Sequence, residues 1–304
     1  MKLQDRDYEL LSWLVQMKFM LLDQITSVFF KSCNPNRAPY RRMLKLMKAG
    51  LVETKRVYIE SSDLYVPAKK AAGLLMKQGV PYSLGISKDK EFAHYKHDKA
   101  LIDLRILFRE LGIGAWIPER VVRSIKPRGS SPDALLVTKR YAYAIEYERT
   151  EKKLTRYKEI FERYESRDNY DAVLYICFNE AFISKIKKEY YPSRKFYFIT
   201  LERLLKDREN ATFLSVSDGL PVSHLVAESA DCDFKDIPRD YLEYITLPRK
   251  DQTVQARKPF ISICKPSEEN YVDHWDSEED SLAGDPSAVI GADTISKGDQ
   301  EHPE

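Results

Sequence analysis

Residues 134–138 (ALLVT) and 141–148 (YAYAIEYE) are two apolar runs separated only by Lys139-Arg140. Parallel strands need a crossover of a dozen or more residues, so a two-residue gap leaves an antiparallel hairpin as the simplest connection. With the turn centred between Lys139 and Arg140, residues whose numbers add to 279 face each other: Thr138 meets Tyr141, Leu136 meets Tyr143 and Asp133 meets Glu146. Opposed residues in such a pair have Cβ atoms roughly 5 Å apart. Two carboxylates at that separation repel, and a divalent cation, a protonated carboxyl or a nearby base must compensate. Side chains alternate along a strand, so Glu146 and Glu148 share a face, and three acids can converge on one small volume. Oxygen ligands of this kind suit Mg2+ or Mn2+, with Asp133 and Glu146 as the ligands. The plainer reading is a polar sheet edge whose acids pair with Arg149, Lys152 or Lys153.

The surrounding sequence predicts an α/β (α+β) domain over residues 92–250. Helical patterns fit 93–110, 151–166, 180–190 and 201–207. Strand-like runs fit 116–125, 172–178 and 196–200, and strands interleaved with helices indicate a mixed sheet. Weaker strands fall within 211–262.

The first 80 residues read differently. Apolar positions at helical spacing predict helices over 5–20 and 23–30, with Asp5 or Asp7, and then Asp23, as caps. A third helix begins near Asn36, takes Pro39 in its first turn and ends at Gly50. Tyr40, Met43, Leu44 and Met47 form its expected apolar face, and Arg37, Arg41, Lys45 and Lys48 form a cationic stripe. Strand-like runs at 51–59 and 64–67 follow, then a helix over 68–78 and a linker over 83–91. Three helices and a hairpin are the order of a winged helix-turn-helix. In that reading the stripe faces the DNA major groove, and Lys55 and Arg56 on the wing reach flanking phosphates. The alternative is an ordinary solvated helix face. Contact with about five phosphates would make affinity fall steeply with salt.

Charge supports a polyanionic partner, double-stranded DNA. Twelve acids and one lysine in residues 266–304 carry −11 of a net +2, which leaves +13 on residues 1–265. Residues 251–304 are expected to be a mostly disordered acidic tail. Four cysteines, Cys33, Cys177, Cys232 and Cys264, include no CxxC pair, which fits reduced thiols in the cytoplasm. The N-terminus lacks the pattern of a signal peptide, and no long uninterrupted apolar run predicts a membrane span.

Pro132-Asp133, twelve residues, then Glu146-Tyr147-Glu148 resembles the PD-(D/E)xK nuclease core, with Glu148 where that pattern has its lysine. The whole arrangement resembles the replication-relaxation family of plasmid and other mobile-element proteins over roughly residues 5–200. The resemblance rests on the order of RRMLKLMKAGLV, HDKALIDLRILF, WIPE, PDALLV and IEYERT. It implies a winged helix-turn-helix joined to a nuclease-like domain, working with replication or relaxosome proteins in plasmid replication, relaxation or mobilisation. It also implies Asp133, Glu146 and Glu148 as the catalytic positions, and it puts His97 beside them. Lys152, Lys153 or Lys158 would supply the missing cation. If the site cleaves, the protein is a metal-dependent endonuclease (nickase); if it does not, it is an accessory DNA-binding protein or a winged-helix transcription regulator.

Other chemistries are poorly served. His94 and His97 lack further ligands spaced for zinc. Tyr190-Tyr191 lacks the histidine cluster of a strand-transferring relaxase, and no glycine-rich phosphate loop is present.

Overall fold

The computed structural model describes residues 2–31, 37–57, 62–77, 84, 89–125, 131–166, 170–190 and 193–230. Asn36, Tyr191, Cys33, Cys232, Cys264, part of the 83–91 linker, the expected strands beyond 230 and the 251–304 tail lie outside those residues.

The chain begins with three helices: α1 (Asp5–Met17), α2 (Leu22–Phe29) and α3 (Ala38–Lys48). Leu10, Leu11 and Leu14 of α1 are fully buried, as helical spacing requires. Asp7 stabilises the start of α1, where its Oδ2 accepts the Gln4 N–H at 2.7 Å. In α2 the cap is Leu21 rather than Asp23, and its N–H donates to Gln24 Oε1 at 3.0 Å. Strands β1 (Val52–Lys55) and β2 (Leu64–Pro67) pair antiparallel, and Met20 bridges to Tyr65 beside them. Helix α4 (Lys69–Lys77) packs against α1.

Helix α5 (Tyr95–Glu110) follows, then β3 (Ala115–Pro118) and α6 (Glu119–Ile125). The single strand expected over 116–125 is therefore split. Pro118 ends β3, and the rest coils into a helix that buries Val121 and Val122 on one face and pairs Glu119 with Arg123 one turn on at 3.1 Å.

The hairpin β4 (Ala134–Val137) and β5 (Ala142–Glu148) has the register read from the sequence, with Leu136 opposite Tyr143 and Ala134 opposite Ile145. Two crossovers come next, β5–α7 (Leu154–Glu165)–β6 (Ala172–Cys177) and β6–α8 (Glu180–Tyr190)–β7 (Phe196–Thr200). After α9 (Leu201–Asp207) come β8 (Thr212–Leu214), β9 (Gly219–Pro221) and α10 (Val222–Ala227). The sheet has seven strands in the order β3-β4-β5-β6-β7-β8-β9, parallel through β5-β6-β7 and antiparallel on either side. The fold is mixed α/β. All residues of β4 and β6 are buried, as expected of strands covered on both faces.

The N-terminal helices and the sheet share one continuous apolar core, in which α2 meets α5 and α1 meets α6. Near this junction Arg105 of α5 donates to Gln16 of α1 at 2.7 Å and stacks on Trp13 at 3.9 Å.

Candidate functional site

The carboxylates gather where α5, the β3–α6 joint and the β4–β5 hairpin meet. Extending the β4–β5 register by one residue sets Asp133 opposite Glu146. The Asp133 side chain takes over from the strand ladder there. Its Oδ2 accepts the Tyr147 N–H at 2.8 Å, and its main-chain oxygen accepts the Glu119 N–H at 2.9 Å.

His97, in the first turn of α5, lies against this carboxylate. Its Nε2 is 3.3 Å from Asp133 Oδ2 and 3.2 Å from the Tyr147 carbonyl, and its Nδ1 is 3.4 Å from Asp98 Oδ1. Every one of these neighbours is an acceptor, so only a ring protonated on both nitrogens satisfies them all. Burial opposes the charged ring, but the Asp133 and Asp98 carboxylates outweigh it and hold the His97 pKa at about 10. Asp98 in turn accepts from Lys18 Nζ at 2.8 Å. Burial alone would raise the Asp98 pKa, yet His97 and Lys18 bring it below the usual carboxylate value. Lys18 follows α1 directly and has a positive φ of 74°, so the N-terminal helices contribute a charge to the cluster.

The two glutamates are compensated differently. Burial, and then the charge of Asp133, push the Glu146 pKa up to about 8, which favours the neutral carboxyl. The Tyr164 hydroxyl of α7 donates to its Oε1. Glu148 is 3% exposed and burial raises its pKa, against the lowering effect of Lys152. Lys152 Nζ lies 2.8 Å from Glu148 Oε2, and the Tyr175 hydroxyl is 3.4 Å from the same oxygen. Of the three lysines considered for the missing cation, Lys152 is the one at the cluster. Its own N–H donates to Tyr157 Oη at 2.7 Å. Lys153 is exposed, and Lys158 faces Glu162 at 3.8 Å.

The chain itself thus offers two of the three alternative compensations for opposed acids, burial that favours a neutral Glu146 carboxyl and the His97 ring beside Asp133. Among the described residues no three His, Cys, Asp or Glu side chains are grouped as ligands for one ion. In the arrangement present, the expected ligand Asp133 lies against His97 and the expected ligand Glu146 accepts from the Tyr164 hydroxyl.

Sequence reasoning missed Lys18, Asp98 and Tyr164. Asp98 adjoins His97 and could have been found from that; Lys18 is 80 residues away and leaves no local signal.

The second place of interest is α3. Pro39, Met43 and Leu46 are its buried residues. Tyr40 and Leu44, expected in the core, are 48% and 37% exposed, and Leu46 takes the core position instead. Arg37, Arg41, Lys45 and Lys48 are all exposed, and none makes an ion pair or side-chain hydrogen bond among the described residues. Arg42, one residue from Arg41, points inward. Its Nε donates to Asp7 Oδ1 at 2.8 Å, its Nη2 donates to the other Asp7 oxygen, and Asp7 is fully buried. The hairpin cations are engaged within the protein: Lys55 Nζ lies 5.3 Å over the Phe92 ring, and Arg56 pairs with Asp63 at 2.9 Å.

Comparison with protein-family models, curated proteins and solved structures finds no match. Among the described residues no helix is long and apolar enough to cross a membrane.

Proposed function

We propose that this chain is a DNA-binding accessory protein of a plasmid or other mobile element, acting in replication, relaxation or mobilisation. In this reading α1–α3 and the β1–β2 hairpin are a winged helix-turn-helix, and the seven-stranded part is a nuclease-like domain that supports assembly. One observation carries it: among the described residues, four cations without an ion pair stand on one face of α3, while neighbouring Arg42, Arg56 and Lys55 each have a partner within the chain. Duplex DNA presents one negative charge per roughly 1.7 Å of axis, the partner such a ridge suits. The carboxylate cluster favours a structural role over cleavage, because His97, Tyr164 and Lys152 already compensate its charges. Gel-shift titration on duplexes from plasmid origins and transfer origins tests the reading. Arg41→Ala with Lys45→Ala loses binding at moderate salt if it is right, and unchanged binding refutes it.

A metal-dependent nickase is the second reading, favoured by the register that sets Asp133 opposite Glu146. Supercoiled plasmid incubated with Mn2+ decides it. Nicking by the wild type and not by Asp133→Ala establishes cleavage; nicking by neither, or equally by both, rejects it.

A further inference from the structure

The four cations of α3 account for attraction to a polyanion but not for two other side chains on the same exposed surface. Tyr40 and Leu44 are among the few large hydrophobic residues that the structure leaves open to solvent, at 48% and 37%. They are four residues apart, as are Arg41 and Lys45, so the two pairs run side by side along the helix. An aromatic and a branched apolar side chain flanked by exposed cations form a poor solvent-facing surface. They suit a surface that closes against something both charged and partly apolar.

Duplex DNA offers that combination in its major groove. Phosphates line both walls, and the only purely apolar group on a base edge there is the thymine 5-methyl. We propose that Tyr40 and Leu44 are specificity-determining residues that contact thymine methyl groups, while Arg37, Arg41, Lys45 and Lys48 hold the flanking backbone. This deepens the DNA-binding reading and rests on it. The division of labour follows from chemistry: contacts to phosphate orient the helix without distinguishing sequence, and contacts to base edges distinguish it.

Replacing thymine by deoxyuracil deletes the methyl and leaves every hydrogen-bonding group of the base in place, so it tests the inference directly. A duplex is first selected from a random-sequence pool with the full chain. Its thymines are then replaced singly by deoxyuracil, and binding is measured for the wild type and for Tyr40→Ala with Leu44→Ala. One buried methyl is worth about 0.8 kcal/mol, or roughly fourfold in affinity. The expected result is a loss of about that size at one or two thymines for the wild type and no loss there for the double variant. The salt dependence of the variant should remain that of the wild type. Both substitutions are at exposed positions, and an unchanged circular dichroism spectrum verifies the fold. A wild type that binds DNA but is indifferent to every replacement, or that enriches no sequence, overturns the inference and leaves the DNA-binding reading standing. A double variant that keeps the full deoxyuracil penalty overturns the assignment to Tyr40 and Leu44. A wild type that binds no duplex at all removes both.

Discussion

His97 Nε2 and Asp133 Oδ2 lie 3.3 Å apart and join two parts of the chain that meet only in the folded protein. The contact lies within a series of alternating charge, from Lys18 through Asp98 and His97 to Asp133. It therefore ties the end of α1 to α5 and α5 to the central hairpin. Its protonation state bears directly on stability.

The first prediction concerns pH. A group whose pKa is higher in the folded chain than in the unfolded one contributes stability below its unfolded value and loses it as pH rises through the folded value. For Glu146 that window runs from 4.5 to about 8, and for His97 from 6.5 to about 10. Both shifts have the same sign, so stability falls as pH rises from about 5 to about 10. Urea unfolding across this range should show Glu146→Gln flattening the lower part of the decline and His97→Gln the upper part. A stability that is constant or increasing over that range contradicts the assignment.

The second prediction separates Arg41 from its neighbour. Arg42→Ala leaves the fully buried Asp7 carboxylate without its guanidinium, and breaking such a pair from one side costs about 3–5 kcal/mol. Arg41→Ala removes an exposed side chain that makes no ion pair among the described residues and should change stability by less than about 0.5 kcal/mol. Thermal melts of the two variants read this contrast, which reverses for DNA affinity per folded molecule.

How much of this was legible in the sequence depends on how local the determining interaction is. The β4–β5 register is set by a two-residue turn and a period of two, both present in the residues themselves. That register alone places Asp133 opposite Glu146. The β3–α6 break was misread because Val121 and Val122 are β-branched and look like strand, whereas burial of one face decides in favour of helix. On α3 the four cations were placed correctly on the surface, but Tyr40 and Leu44 were assigned inside. Hydrophobic character alone does not show which of several apolar positions the neighbouring helices cover. Lys18 could not be foreseen, because its role depends on a contact with a residue 80 positions away.

The third prediction contrasts two glycines. Gly114 has a φ of +44°, and a Cβ there would sit 2.3 Å from the Val137 carbonyl oxygen. Gly114→Ala must displace the end of β4 from β3 or twist the backbone, at a cost of roughly 1–3 kcal/mol or more. Gly73, within α4, has open space around the corresponding position and no positive φ, so Gly73→Ala should stabilise by about 0.4–1 kcal/mol. Denaturant midpoints moving in opposite directions confirm the pair.

The fourth prediction uses salt to count the charges that α3 brings to DNA. Each phosphate neutralised releases counterions and adds about 0.9 to the slope of log affinity against log salt concentration. Among the described residues Arg37, Arg41, Lys45 and Lys48 make no ion pair that binding would have to break. Removing Arg41 and Lys45 together should reduce the slope by about 2, wherever binding remains measurable at low salt. Arg56→Ala should change it less, because Arg56 exchanges its contact with Asp63 for one with phosphate. Equal slopes for the wild type and the Arg41, Lys45 variant would place the DNA contact elsewhere on the basic surface, and the α3 assignment would then fail even if the protein bound DNA tightly.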